Sequence, residues 1–161
     1  MSEISSKVLL RKMELGDVPQ VVEIEKLSFP TPWSPYAFSC EILDNNFAYY
    51  LVVIPKDDQD KIIGYGGMWV ILDEAHITNI AIAPEHRGKR LGEILLQNLM
   101  EMALKKGAER ITLEVRVSNT SARKLYERLG FKAAGLRKGY YVDANEDAVI
   151  MWKDLREKAS G

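Results

Sequence analysis

The chain has 161 residues, 47% of them hydrophobic and 28% charged, with a formal net charge of −1. That length suits one domain with its own core, and the near-zero charge offers no general nucleic-acid surface. A single cysteine, Cys40, excludes an internal disulfide, and no run approaches the roughly 18 apolar residues of a membrane span. Residues 1–6 are polar and lack a signal-peptide pattern, so the expectation is a cytoplasmic protein without a membrane role.

In chain order, Val8 to Leu10 reads as a first strand. Asp17 is placed to cap a helix whose apolar face is Val18, Val21, Val22 and Ile24 to Leu27. Pro30, Pro32 and Pro35 break the chain around Phe29 and Trp33, and a second helix runs from Pro35 to about Leu43. Phe47 to Ile54 and Lys61 to Leu72 are strands around a polar turn at Asp57 to Asp60. Gly64, Gly66 and Gly67 inside the second of these imply a bulge or a close packing neighbour.

The strand from Ala75 to Ala83 changes phase. Ala75 and Ile77 share one parity, Ile80 and Ile82 the other, so either a bulge near Thr78 and Asn79 or burial on both faces is implied. A helix from Leu91 to Lys106 follows, capped by Gly107, then a strand from Arg110 to Val117. Strand, helix and strand form a crossover, so the two strands should be parallel. A further helix runs from Asn119 or Thr120 to Gly130, with Ala122, Leu125, Tyr126 and Leu129 inward. Phe131 to Tyr141 and Ala148 to Trp152 form a closing hairpin. Lys153 to Gly161 is a polar tail, and residues 1–6 and 156–161 are expected to fray.

The run from Ile80 to Gly92 joins a strand, a basic glycine-containing loop and the start of a helix. The first N–H groups of a helix lack internal partners and sit at its positive end, so such a joint can hold an anion. Arg87, Lys89 and Arg90 add charge around Gly88 and Gly92; a solvated surface loop is the plainer reading. The Walker loop and the dinucleotide glycine fingerprint are both absent.

Three later positions bear on the choice: Glu114 on a strand, then Asn119, then Tyr126 on a helix, in the string Leu-Glu-Val-Arg-Val-Ser-Asn-x-x-Ala-x-x-Leu-Tyr-x-x-x-Gly-Phe. Together with Arg87 to Gly92, this string resembles the GNAT superfamily of acetyl-CoA-dependent N-acetyltransferases. Within it, the chain looks most like the bacterial ribosomal-protein alanine N-acetyltransferases, nearly from end to end. The resemblance implies an α/β fold over residues 1–161, with a central mixed, mostly antiparallel sheet, one splayed parallel strand pair and helices on both faces. It implies acetyl-CoA as cofactor and direct transfer in a ternary complex to a protein N-terminal amine, that of a ribosomal protein. It places the pantetheine arm on Ile80, Ala81 and Ile82. It places the pyrophosphate on Arg87, Gly88, Lys89, Arg90, Leu91, Gly92 and Glu93, with Asn119 touching coenzyme A. Glu114 matches the general base and Tyr126 the general acid. Phe29, Trp33, Tyr36, Tyr140 and Tyr141 lie in the regions that flank the acceptor channel.

Each assignment has a plainer counterpart. Glu114 could face solvent or pair with Arg116 or Arg110. Tyr126 could be core packing, and the aromatics could simply fill irregular loops. Asp143, Glu146 and Asp147 could attract a basic protein or be solvated, and His76 and His86 read as structural or exposed. Arg90 departs from the family loop, which carries glycine there; a helical backbone would accommodate it. Two other readings stay open: acetylation of lysine or a small amine, and a non-catalytic acetyl-CoA-binding module, for which neither Glu114 nor Tyr126 would be needed.

Overall fold

Apolar residues at two-residue spacing give strands, and apolar stripes at helical spacing give helices, across the residues described, 7–141 and 146–157 of the computed structural model. In chain order these are β1 (Val8–Lys12), α1 (Val18–Ser28), α2 (Pro35–Leu43), β2 (Ala48–Pro55), β3 (Gly64–Ile71), β4 (Glu74–Ile82), α3 (Leu91–Lys105), β5 (Arg110–Arg116), α4 (Thr120–Arg128), β6 (Lys132–Tyr141) and β7 (Glu146–Asp154). Short 3-10 turns occupy Leu15–Asp17 and Pro84–His86. The sheet order is β1-β2-β3-β4-β5-β7-β6. β1 with β2, β2 with β3, β5 with β7 and β6 with β7 are antiparallel. β4 and β5 are parallel, with Glu74, Ala75 and His76 opposite Arg110, Ile111 and Thr112, as a strand–helix–strand crossover requires.

Two compact units divide the chain. The first takes the residues up to Trp69 together with Thr78–Leu99; the second takes Val70–Ile77 and the residues from Met100 onward. In the first, Met13, Val21, Phe38, Tyr50, Val52 and Tyr65 are core, and Phe29 and Trp33 pack against them. The Phe38 ring meets Tyr50 and Tyr65 edge-on, at centroid distances of 6.4 and 5.8 Å. In the second, alternate β5 residues Ile111, Leu113 and Val115 are buried, as are Tyr126, Phe131, Val149 and Met151. Each such side chain contributes about 1.5–3 kcal/mol relative to exposure.

Local chemistry sets the helix ends. Ser34 accepts the Ala37 N–H at 3.1 Å and Pro35 opens α2. Gly107 takes φ 98° after α3, and the Ala108 N–H donates to the Ala103 carbonyl at 2.9 Å.

Four expectations change. Asp17 does not cap α1 with its side chain; its carboxylate instead takes both Arg11 Nη atoms, at 2.7 and 2.8 Å, and the Glu14 N–H at 2.7 Å. Leu27, read as part of the inward face of α1, is exposed. In β4 burial alternates without a break: Ala75, Ile77, Asn79 and Ala81 are buried, while His76, Thr78, Ile80 and Ile82 are partly exposed. The phase change therefore coincides with a buried asparagine in an otherwise apolar row. Lys153 belongs to β7, and the Leu155 N–H donates to the Glu109 carbonyl at 2.9 Å, so the tail begins later than its polarity suggests. Residues 1–6, 142–145 and 158–161, including Asp143 and most of the expected frayed ends, lie outside the described residues.

The β3 glycines answer to packing. A Cβ on Gly66 would press on Leu95 and Leu99 of α3, at 3.1–3.3 Å, and one on Gly67 would collide with the Tyr50 ring.

Candidate active site and anion loop

The loop from Arg87 to Arg90 owes its form to alternating backbone hand. Gly88 has φ 80° and Arg90 has φ 63°, while Lys89 between them is not in the positive region. Backbone N–H groups in a turn of this kind can make an anion-binding concavity. The Arg90 carbonyl accepts the Ile94 N–H at 3.1 Å and closes the first turn of α3. Arg90 is thus not accommodated by helical backbone, as the sequence suggested. It adopts the left-handed conformation of a glycine, at a cost of about 1–2 kcal/mol.

Arg87 is committed within the fold. Its Nε donates to the Ile82 carbonyl at 2.9 Å and an Nη to Ser28 Oγ at 3.0 Å, tying the loop to the end of β4 and to α1. Lys89 and Arg90 are exposed. These two exposed cations stand next to the unpaired N–H groups that open α3, a setting that suits an anion. Ile80 and Ile82 share the partly exposed phase of β4, and Ala81 is buried, so any ligand along this strand meets its backbone and those two isoleucines.

The second unit gathers the ionisable groups. Glu114, on β5, has a side chain 8% exposed. Among the described residues it pairs with neither arginine weighed for it: Arg110 pairs with Glu74 at 3.0 Å and Arg116 with Glu146 at 3.5 Å. Its Oε2 lies 2.6 Å from His76 Nε2, and its Oε1 lies 3.9 Å from the exposed Arg137 on β6. Sequence reasoning left His76 as structural or exposed. The signal was indirect: His76 opposes Thr112 in the parallel register, and Glu114 is the next residue of the same parity on β5.

Tyr126, on α4, is buried, and burial pushes its phenol up to about 12. Its ring packs at 5.9 Å on Phe131, and its hydroxyl has no hydrogen-bond partner among the described residues. Tyr140 and Tyr141 meet edge-on at 5.0 Å. Arg116 lies over the Tyr141 ring at 4.1 Å and Arg137 over Tyr140 at 5.5 Å. Burial first, and then Tyr140, raise the Tyr141 phenol to about 12.

Asn119 is the N-cap of α4: its Oδ1 accepts the Ala122 N–H at 3.2 Å, which leaves the amide NH2 for other partners. Glu146 accepts from the Ser118 N–H at 2.8 Å and Asp147 from the Gly139 N–H at 2.9 Å, so both acidic side chains hold the β6–β7 end. In the first unit, Trp33 sits 5.3 Å from Phe38 and is partly buried, as is Phe29, whereas Tyr36 stands 78% exposed.

Sequence reasoning also missed two carboxylates of the first unit. Glu25, 1% exposed, accepts from the Trp33 N–H at 2.8 Å, from Asn79 Nδ2 at 3.3 Å and from the Tyr65 hydroxyl. Glu41 accepts from the Tyr50 hydroxyl at 3.1 Å, Trp69 Nε1 at 2.7 Å and Asn45 Nδ2 at 2.6 Å. Among the described residues no three His, Cys, Asp or Glu side chains gather to hold a metal, and no helix is long and apolar enough to cross a membrane.

Known proteins resemble this arrangement. Residues 18–131 match the model of the acetyltransferase (GNAT) family. A Bacillus subtilis (strain 168) protein, provisionally named a ribosomal protein bS18-alanine N-acetyltransferase, is 47% identical over 96% of this chain and 100% of its own. The Escherichia coli (strain K12) protein of that name is 35% identical over 88% of this chain and 94% of its own. The crystal structure of the ribosomal-protein-S18-alanine N-acetyltransferase from Escherichia coli superposes with a TM-score of 0.83 at 31% identity, covering 96% of this chain and 97% of that one.

Proposed function

Because the chain belongs to the acetyltransferase (GNAT) family, we propose that it transfers the acetyl group of acetyl-CoA to the N-terminal α-amine of a ribosomal protein, one that begins with alanine. The observation that carries this reading is the nearly buried Glu114 carboxylate held 2.6 Å from His76 Nε2, a candidate proton acceptor. The names of the relatives support the acceptor. The reaction then belongs in the cytoplasm, where ribosomes are assembled.

Acetyl-CoA supplies an activated acyl group on a thiol leaving group. On this reading the N–H groups of residues 87–93, with Lys89 and Arg90, hold the pyrophosphate, and the Ile80–Ile82 backbone holds the pantetheine arm. The free amide of Asn119 is the further coenzyme contact.

The attacking amine must be neutral. An α-amine with a pKa of about 8 is roughly a tenth neutral at pH 7, whereas lysine at about 10.4 is under a thousandth neutral. One carboxylate suffices for the α-amine: Glu114 takes the proton, directly or through a water, and His76 Nε2–H steadies the carboxylate. Tyr126 offers its hydroxyl to the departing sulfur. A phenol at about 12 stays protonated throughout the working range, so it serves chiefly as a hydrogen-bond donor to the thiolate. The candidate acceptor walls are Phe29, Trp33 and Tyr36 in the first unit and Tyr140 and Tyr141 in the second.

An acceptor panel tests the reaction. With acetyl-CoA, peptides that begin with alanine should release coenzyme A, and N-terminally blocked peptides with internal lysine should not. Release from the blocked lysine peptides alone would move the assignment to side chains. Glu114→Gln and Tyr126→Phe should each lower kcat by about 100-fold with little change in acetyl-CoA affinity. Unchanged turnover in both would remove these residues from the mechanism.

A further inference from the structure

A cleft of about 530 Å³ in the first unit is lined by Trp33, Glu41, Asp44, Phe47 and Trp69, among others. Of its lining residues only Trp33 enters the proposed chemistry, as a candidate acceptor wall. Glu41, another of its lining residues, has its carboxylate fixed by Tyr50, Trp69 and Asn45. Those three donors are neutral, and among the described residues neither Glu41 nor Asp44 has an ion-pair partner.

Both acids also stand at the wrong end of a helix for their own stability. α2 ends at Leu43 and has no basic residue in its last turn. The C-terminal end of a helix carries about half a negative charge, so two carboxylates there repel it and each other. Trp33, Phe47 and Trp69 line the cleft beside these acids, with Phe47 53% exposed. Aromatic faces and carboxylates together attract one class of group, a cation, and a flat guanidinium best satisfies both.

The cation in this cleft is not the amine that reacts. The carboxylate proposed to deprotonate that amine is Glu114, which does not line this cleft. A ribosomal protein must offset RNA phosphates and is therefore rich in lysine and arginine. We infer that the Trp33–Glu41–Asp44–Phe47–Trp69 cleft receives an arginine or lysine side chain from the acceptor's N-terminal segment and so selects basic acceptors. The inference rests on the acceptor class proposed above.

Two measurements decide it. In the first, alanine-initiated peptides carry one arginine at each of the following positions in turn, against citrulline at the same place. At one position citrulline should raise KM about tenfold with kcat little changed. The difference should vanish in Glu41→Gln and shrink in Asp44→Asn, a change at an exposed site that leaves the fold alone. In the second, Nα-acetyl-arginine amide should give a saturable change in tryptophan fluorescence, and the citrulline analogue none.

Equal KM for arginine and citrulline at every position, with normal acetylation, overturns the cleft's role and leaves the N-terminal reaction standing. If free polyamines are acetylated and alanine peptides are not, the reaction assignment fails, and the fluorescence titration, which needs no turnover, still decides the cleft. A dimer in sedimentation that Phe47→Ala dissolves would give the cleft to a second copy and overturn the inference.

Discussion

Arg90 shows what a single residue can withhold from sequence reading. The loop pattern places a glycine there, and arginine suggests that the backbone has changed to suit it. Instead the left-handed conformation persists at φ 63°, and the side chain bears the strain. The positive φ at Arg90 lies where the chain enters α3, and the Arg90 carbonyl accepts the Ile94 N–H of its first turn. Arg90→Gly should therefore raise stability by about 0.5–1 kcal/mol, the strain released less the extra chain entropy of glycine. A denaturant midpoint that falls on this substitution would contradict the account. Asp17 is a second case. Its hydrogen bonds to Arg11, chiefly, hold its carboxyl below the ordinary range. A lowered folded value means stability that is present above about pH 4 and is lost as pH falls through the folded pKa. Asp17→Asn should thus lower Tm at neutral pH and flatten its decline below about pH 4; an unchanged acid limb would show that this pair contributes nothing.

Elements were more legible than their partners. Proline and a serine cap mark the start of α2, and glycines mark the ends of α3 and α4, so those helices could be placed from residue type alone. The crossover rule gave the parallel direction of β4 and β5. It could not give their register, and the register is what brings His76 to Glu114. Nor does periodicity price a buried charge. Val18, Val21, Val22 and Glu25 follow the i, i+3, i+4, i+7 rule of a core stripe, and Glu25 is indeed inside, supplied by Trp33, Tyr65 and Asn79. An acid in a core stripe is a sign that donors will converge on it. The glycines of β3 carry a related message. Gly67 leaves room for the Tyr50 ring, and the Tyr50 hydroxyl joins Glu41 of α2 to Thr78 of β4. Gly67→Ala should displace that ring and cost about 1–3 kcal/mol by overpacking. A thermal melt coincident with wild type would mean that the strand yields more easily than the ring.

At the scale of the whole chain, composition limits the chemistry. The sequence holds one cysteine, so an acetyl-enzyme through sulfur could form only at Cys40. A sulfur carrier needs a base or cation to generate its thiolate. Glu114 and His76 are engaged with each other, and Cys40 lies on α2, with Glu41 and Tyr36 as its neighbours on that helix. On the proposed reaction, both substrates are bound together before the acyl group moves. Initial rates at several fixed concentrations of an alanine-initiated peptide should give intersecting double-reciprocal lines against acetyl-CoA. Protein incubated with acetyl-CoA but no acceptor should keep its intact mass. Parallel lines, together with an acetyl group on Cys40, would show that the acyl group rests on the enzyme and that Glu114 serves a different step.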